Sequence, residues 1–185
     1  MNLPNKLTVG RLASLPFLVV FLLMDNTPAR WLSFVIFVLA CITDFLDGRI
    51  ARSRHLVTVL GKFLDPLADK ALICTVLTCF VATGWCHPVA LIIVLAREFV
   101  VSGVRMAAVQ AGRVVAANIW GKLKTGFQMV SLSAVLFIYA VYPAFSWIGL
   151  ASNIICWIIA VLTAMSGVVY VVDNKDVFAE KGSEK

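Results

Sequence analysis

The sequence predicts an all-α integral membrane protein with six transmembrane helices and both termini in the cytoplasm. Three observations carry this prediction: the composition, a series of long apolar stretches, and basic residues that gather on one side of them. Of the 185 residues, 61% are hydrophobic and only 14% are charged, and the mean hydropathy is +0.95. Soluble domains do not have this composition, so lipid is the expected surroundings of most side chains.

Six apolar stretches recur along the chain, and each is close to the ~20 residues that a helix needs to cross the hydrocarbon core. Helices are the expected form because an open strand edge would leave backbone groups unpaired in lipid. We expect one membrane domain over 1–172 and a charged cytoplasmic tail over 173–185. The six stretches are Leu7–Met24, Trp31–Leu46, Leu64–Thr83, Pro88–Val104, Thr125–Tyr142 and Trp147–Val172.

The basic residues fix the expected orientation. With the N-terminus in the cytoplasm, 15 of the 16 lysines and arginines fall on the cytoplasmic side and only Arg30 falls outside. Such an excess is typical of cytoplasmic loops. The net charge of +6 is therefore attributed to topology and to contact with anionic lipid, and no nucleic-acid partner is expected.

Two other sequence features have simple interpretations. A cleavable signal peptide is the alternative for the first stretch, but Met24-Asp25-Asn26 offers no small-residue cleavage site and five more stretches follow. The five cysteines show no CxxC spacing, so we expect buried apolar side chains and no metal site among them.

The most informative segment contains four aspartates on both sides of the second connection. Asp44 and Asp47 are three residues apart at the end of the second stretch, and Asp65 and Asp69 are four apart at the start of the third. Each pair therefore shares a helix face. Two adjacent helices could point all four carboxylates at one another near the cytoplasmic surface.

Four clustered carboxylates would raise each other's pKa unless cations neutralise them. Hard oxygen ligands suit two divalent cations, Mg²⁺ or Mn²⁺, and such a pair can stabilise a phosphoryl transfer. The structural alternative is that the aspartates cap helices and pair with nearby lysines and arginines. Four carboxylates at membrane depth at these spacings favour a functional site.

The pattern Asp44-x-x-Asp47-Gly48-x-x-Ala51-Arg52, then eight residues, then Gly61-x-x-x-Asp65-x-x-x-Asp69 resembles the signature of the CDP-alcohol phosphotransferases. All eight fixed positions match over 26 residues. The similarity extends over nearly the whole chain. It includes Asn5-x-x-Thr8-x-x-Arg11, Ala96-Arg97-Glu98 with Arg105, GKLKT from Gly121, and the segment from Ser166 to Phe178.

This resemblance implies the six-helix membrane fold of that family, usually a homodimer, with its site open to the cytoplasm and the bilayer. The chain is most similar to members of the bacterial cytoplasmic (inner) membrane that use CDP-diacylglycerol and sn-glycerol 3-phosphate and release CMP. In the family the aspartates, here Asp44, Asp47, Asp65 and Asp69, hold the metals. The last of them, Asp69, also serves as general base.

Further residues are assigned to the two substrates. Small residues, Gly48 and Ala51, would pack against the cytidine, and Gly61 would allow close approach on the other side. Arg52 can bind the donor phosphates in a bidentate manner, with Arg11 and the Asn5 and Thr8 positions beside it. Arg11 is equally consistent with an interfacial anchor that extends to the headgroups.

A second cationic group is expected to bind the acceptor phosphate. Arg97 lies between apolar runs and should face the bundle interior, because a guanidinium beside lipid is costly. It would act with Arg105 and with Lys122 or Lys124. A bridge between Arg97 and Glu98 is the structural alternative, but adjacent helical residues point about 100° apart and are expected to pair poorly.

Two rival functions follow from the same residues. Another acceptor, such as serine, inositol, inositol phosphate or phosphatidylglycerol, would change only the acceptor pocket. A cation transporter would need polar groups across the whole membrane. The outer halves of the six stretches carry almost no ionisable residues, which argues against transport.

Overall fold

The computed structural model contains six α-helices and no strand in the residues that it describes, which are 3–53, 59–110, 119–143 and 146–174. Within these ranges, side chains are described for 5–46, 67–108, 119, 121, 123–143 and 146–174. The helices are α1 (Leu3–Leu23), α2 (Thr27–Ser53), α3 (Val59–Ala82), α4 (Pro88–Gln110), α5 (Ile119–Val141) and α6 (Ile148–Asp173).

Each predicted stretch lies almost entirely within one of these helices, and most helices continue beyond the stretch at one end or both. Four of them, α1, α2, α5 and α6, are long and apolar enough in their described parts to cross a membrane. The α4 helix does not meet that standard, because Arg97, Glu98 and Arg105 interrupt its apolar run. The described chain is therefore an all-helical protein with at least four helices suited to lipid.

The turn between α3 and α4 shows how the sequence ends one helix and begins the next. Gly84 has a φ of 77°, a conformation that only glycine adopts without strain. The backbone amides of Gly84 and Trp85 donate to the carbonyls of Val81 and Phe80, at 3.1 and 2.7 Å. This is a Schellman motif. Pro88 then begins α4, at a position where its missing N–H is not needed.

The α2 helix begins with a side-chain cap. Asn26 Oδ1 accepts a hydrogen bond of 2.8 Å from the backbone amide of Ala29. An asparagine at this position satisfies one of the donors that the first turn leaves open. The short connection from Met24 to Asn26 therefore turns the chain directly from α1 into α2.

The helices form a bundle in which α1 packs against α2 and α3, α2 packs against α5, and α6 packs against α4 and α5. Large apolar side chains fill its centre. Exposed side chains are also largely apolar, as expected where lipid surrounds the bundle. The largest fully buried side chains include Leu18, Phe37, Leu72, Phe80, Leu132 and Ile159.

The ends of the helices that the sequence places outside the cell are held together by aromatic and charged side chains. Asp25, before α2, pairs with Arg30, and that bond holds the pKa of the exposed Asp25 carboxyl below its ordinary value. The Arg30 guanidinium also lies over the Tyr139 ring, 4.8 Å from its centroid. Trp85 meets the same ring edge to face at 4.5 Å. We call Asp25, Arg30, Trp85 and Tyr139 the outer cluster.

Candidate active site

A cavity of about 630 Å³ opens between α2, α3, α4, α5 and α6, away from the outer cluster. Three acidic and four basic side chains line its described wall. These are Asp44, Asp69, Glu98, Lys70, Arg97, Arg105 and Lys124. The structure thus brings two residues of the aspartate motif and three of the expected acceptor-site cations into one space.

Asp44 is held in place from α1. The Nη1 atom of Arg11 lies 2.5 Å from Asp44 Oδ1, and the Arg11 side chain is only 1% exposed. Arg11 does not line the described part of the cavity. The alternative of an interfacial anchor does not fit this position, because a buried guanidinium cannot extend to the headgroups. Arg11 instead supports a carboxylate of the motif.

Asp69 is the second described carboxylate of the motif. Its Oδ1 atom is buried and has no hydrogen-bond partner among the described residues. The charges of Asp44, Arg11, Glu98 and Lys124 all act on it. A buried carboxylate oxygen without a donor is expensive unless a cation or a substrate group binds there.

The described donor atoms fit divalent metal ions. Asp44 and Asp69 face one cavity from two helices, and an open Asp69 oxygen is available. No cluster of three or more His, Cys, Asp or Glu side chains is found in the described part of the chain. The two remaining motif carboxylates, Asp47 and Asp65, have side chains outside that part.

The other predicted donor-site residues divide into two groups. Four of them belong to α2 and α3, but they lie outside the residues whose side chains the structure describes. These are Gly48, Ala51, Arg52 and Gly61. Asn5 and Thr8 are buried, at 5% and 0% exposed, and neither lines the described cavity wall. With Arg11 they follow one face of α1, turned into the bundle.

Glu98 is the centre of a group of cations in the same cavity. Its Oε1 atom accepts a hydrogen bond of 3.1 Å from Arg97 Nη1 and a short hydrogen bond from Lys124 Nζ. Lys70 Nζ lies 3.7 Å from Glu98 Oε2. One carboxylate therefore joins cations from α3, α4 and α5. We call Glu98, Arg97, Lys124 and Lys70 the Glu98 cluster.

The expectation that Arg97 and Glu98 pair poorly is wrong. Their Cα–Cβ bonds do diverge, but both side chains are long enough to bend into the same cavity, where the third partner, Lys124, fixes the carboxylate. The prediction that Arg97 faces the interior agrees with its position, since its side chain is 12% exposed and lines the cavity.

One glycine makes room for Arg97. A Cβ atom at Gly167 on α6 would lie 2.7 Å from Arg97 Cγ, closer than atoms can approach without movement. A Cβ atom at Gly121 on α5 would lie 3.7 Å from Arg97 Nη2, which is an ordinary van der Waals distance. The guanidinium therefore reaches the cavity through a gap that the missing side chain of Gly167 leaves between α4 and α6.

The remaining predicted acceptor-site residues differ in their exposure and in whether the structure describes them. Lys124 is 6% exposed and bound to Glu98, whereas Arg105 is exposed and lines the same cavity. The Lys122 side chain lies outside the described residues.

Sequence reasoning did not assign Lys70, Glu98, Gln128 or Tyr170 to the site, yet all four line the cavity. For Gln128 a signal was present. It is a polar residue inside an apolar stretch, four residues after Lys124, so both share a helix face.

A helical bundle with an apolar surface, Asp44 and Asp69 of the motif and several cations in one cavity are the features expected of a membrane transferase of phosphate-linked groups. Residues 1–173 match the family described as CDP-alcohol phosphatidyltransferase. The chain belongs to this family, and the resemblance drawn from the aspartate motif is confirmed.

Several relatives share most of the chain. A protein of Rickettsia bellii (strain RML369-C) is 39% identical over 169 residues, which cover 91% of this chain and 93% of the relative. One from Bacillus subtilis (strain 168) is 35% identical over 185 residues, which cover 94% and 95%. Both carry the name CDP-diacylglycerol–glycerol-3-phosphate 3-phosphatidyltransferase. The enzyme class expected from the resemblance is therefore confirmed.

Proposed function

We propose that this protein transfers the phosphatidyl group of CDP-diacylglycerol to sn-glycerol 3-phosphate, giving phosphatidylglycerophosphate and CMP. The observation that supports it is a single cavity lined by two sets of charged side chains. These are the carboxylates Asp44 and Asp69, and the Glu98 cluster with Arg105. The names of the relatives state the same donor and acceptor.

The carboxylates of the cavity suit the metal ions on which the reaction would depend. Asp44 and Asp69, with Asp47 and Asp65 of the same motif, would hold two divalent cations, Mg²⁺ or Mn²⁺. When bound, these ions supply charge neutralisation at the donor pyrophosphate. Arg11 keeps Asp44 in position for this role through its 2.5 Å contact.

Asp69 would act as the general base. One oxygen of its carboxylate would take the proton from the acceptor's primary hydroxyl. The hydroxyl oxygen forms a bond to the phosphorus attached to diacylglycerol, and the bond from that phosphorus to the oxygen of CMP breaks. No nucleophilic side chain for a covalent intermediate was identified from the sequence, so we propose a direct displacement with inversion.

The cations that line the cavity suit the acceptor's phosphate. Lys70, Arg97 and Lys124 lie around the single carboxylate of Glu98, and Arg105 lines the same cavity. These four cations exceed that one carboxylate by three positive charges. A phosphate monoester carries nearly two negative charges near neutral pH and forms charge-assisted hydrogen bonds with arginine. Serine, glycerol and inositol have no such group, so they would leave this charge uncompensated.

We place the protein in the bacterial cytoplasmic membrane as a six-span homodimer with the cavity open to the cytoplasm. The alternating direction of the helices supports this topology. The outer cluster contains residues from the connection before α2, the turn after α3 and the last part of α5. The cavity lies toward the opposite ends of these helices. The basic residues of the sequence also gather at those ends.

The decisive experiment follows CMP release by the purified protein with CDP-diacylglycerol and Mg²⁺ and one acceptor at a time. We expect sn-glycerol 3-phosphate to be used and serine, glycerol and inositol to be rejected. Direct competition with inositol phosphate, which also carries a phosphate monoester, should favour glycerol 3-phosphate. Faster use of inositol phosphate or of unphosphorylated glycerol would show that the acceptor is wrongly assigned.

A matched pair of variants tests the site of the acceptor phosphate. Arg97→Ala should raise the KM for glycerol 3-phosphate at least roughly tenfold, because a charge-assisted bond of this kind contributes about 1.5–3 kcal/mol. The KM for CDP-diacylglycerol should change much less. Lys6→Ala, which removes an exposed cation on α1, is the control and should change neither value. Equal effects of Arg97→Ala on both substrates would contradict the assignment.

A further inference from the structure

Gln128 on α5 is a buried polar side chain whose amide nitrogen is not used in the packing of the described helices. It is 2% exposed, and its Nε2 atom has no hydrogen-bond partner among the described residues. A buried donor left in this state costs about as much as a lost hydrogen bond. Its side chain lines the cavity, so a molecule bound there could satisfy it.

Gln128 lies at the inner limit of the cavity. Lys124, one helical turn earlier, lines the cavity and belongs to the Glu98 cluster. Leu132, one turn later, is fully buried in the apolar core and does not line the cavity. The amide is therefore the last polar group of α5 that lines the cavity, about 6 Å along the helix from Lys124 at the usual rise per residue.

The groups around Gln128 match the groups of a short acceptor. The Glu98 cluster offers cations for a phosphate, and Asp69 offers a base for the attacking hydroxyl. In sn-glycerol 3-phosphate the C2 hydroxyl is one further polar group, and it lies between the phosphate and the attacking primary hydroxyl. A hydroxyl both donates and accepts hydrogen bonds, so it can pair with either end of an amide.

We propose that the Gln128 side-chain amide binds the C2 hydroxyl of the acceptor and thereby selects a phosphate that carries two adjacent hydroxyls over one that lacks the middle hydroxyl. This inference rests on the proposed function. Discrimination arises because an acceptor without the C2 hydroxyl leaves the buried amide unpaired in the bound state.

The first test uses the unaltered protein. The kcat/KM values for sn-glycerol 3-phosphate and 3-hydroxypropyl phosphate are compared by CMP release. The second compound keeps the phosphate and the primary hydroxyl but lacks the C2 hydroxyl. We expect a preference for glycerol 3-phosphate of roughly 10-fold to 100-fold. Equal values would overturn the role of Gln128. No CMP release with glycerol 3-phosphate would instead contradict the proposed function itself.

The second test assigns the preference to Gln128. Gln128→Met keeps the length of the side chain and removes the amide, and Gln128→Ala removes most of the side chain. Both should reduce the preference to nearly equal use, mainly by lowering kcat/KM for glycerol 3-phosphate. The comparison is made within each variant, so it does not depend on the amount of folded protein.

Thr163→Val is the matched control. Thr163 on α6 is also fully buried with an unpartnered side-chain oxygen, but it does not line the cavity. This variant should keep the full preference. If the Gln128 variants kept it too, or released no CMP with either acceptor while retaining wild-type thermal stability, Gln128 would not be the residue that selects the hydroxyl.

Discussion

Arg11 Nη1 on α1 lies 2.5 Å from Asp44 Oδ1 on α2, with the guanidinium buried and the carboxylate side chain 29% exposed to the cavity side. The first helix therefore contributes to the site without lining its described wall. Arg11 sets the position of one carboxylate, and Asp44 compensates the charge of a buried guanidinium.

This pair leads to a prediction for Arg11→Met. The variant should lose stability by roughly 1–3 kcal/mol, less than a fully buried pair, because Asp44 is partly exposed. Thermal unfolding in detergent measures the change. In a double-mutant cycle, Asp44→Asn should have a smaller effect in the Arg11→Met background. Asp25→Asn, which alters a pair with an exposed carboxylate, should change stability little. Strict additivity of Arg11→Met and Asp44→Asn would show that the pair is not coupled.

Asp69→Asn should leave a folded protein with little turnover. The amide has nearly the shape of the carboxylate but cannot accept the proton of the acceptor hydroxyl. We expect CMP release to fall by about 10²-fold to 10⁴-fold. Thermal unfolding should show that the variant remains folded. Near-normal CMP release by Asp69→Asn would exclude Asp69 as the base.

Metal removal should abolish activity reversibly. Excess chelator is expected to stop CMP release, and added Mg²⁺ or Mn²⁺ to restore it. A second measurement does not depend on turnover: Mg²⁺ should raise the unfolding temperature of the wild-type protein by binding the folded state. The increase should be smaller for Asp44→Asn. Full activity after rigorous chelation would rule out the metal mechanism.

The contact between Gly167 and Arg97 predicts an unequal effect of two small substitutions. Gly167→Ala would place a Cβ atom 2.7 Å from Arg97 Cγ, so α4 and α6 must move apart or Arg97 must leave its position. We expect a loss of about 1–3 kcal/mol in stability and a raised KM for the acceptor. Gly103→Ala on α4 meets nothing within 4 Å and is the control. Comparable effects of both substitutions on KM would argue against a fixed position of Arg97.

The orientation can be tested by labelling single cysteines in whole cells, after the five native cysteines have been replaced. Cysteines introduced in 53–60 and 112–118 should react only with reagents that reach the cytoplasm. A cysteine at position 25, next to the outer cluster, should react with reagents that do not cross the membrane. Labelling of 53–60 or 112–118 from outside would place the cavity on the wrong side of the membrane.

The positions of the helices were predictable from the sequence because apolar length and helix-ending residues act locally. Pro88 begins α4 as expected, and the end of α3 depends on Gly84, which lies two residues after Ala82. The placement of Asp44 and Asp69 in one cavity also followed from local spacing, since both pairs of aspartates adjoin the same connection.

Contacts between distant helices were not predictable in this way. Spacing along α4 shows that Glu98 and Arg105 share a face, but not that Lys124 of α5 and Lys70 of α3 reach the same carboxylate. The support of Asp44 by Arg11 likewise joins residues 33 positions apart. The spacing of residues along a helix predicts on which face of that helix a side chain lies. The residue that it contacts depends on which other helix packs against that face.

The position of Glu98 among the cations has a kinetic consequence for the proposed reaction. The Glu98 carboxylate already pairs with the cations that would bind the acceptor's phosphate, so this phosphate has to compete with Glu98 for them. The same phosphate remains, unaltered, on the lipid product. An arginine and two lysines without that competitor would hold the product as firmly as the acceptor and delay its departure into the bilayer. In the proposed reaction, Glu98 would therefore shorten the residence time of the product, at the expense of a weaker first encounter with the acceptor.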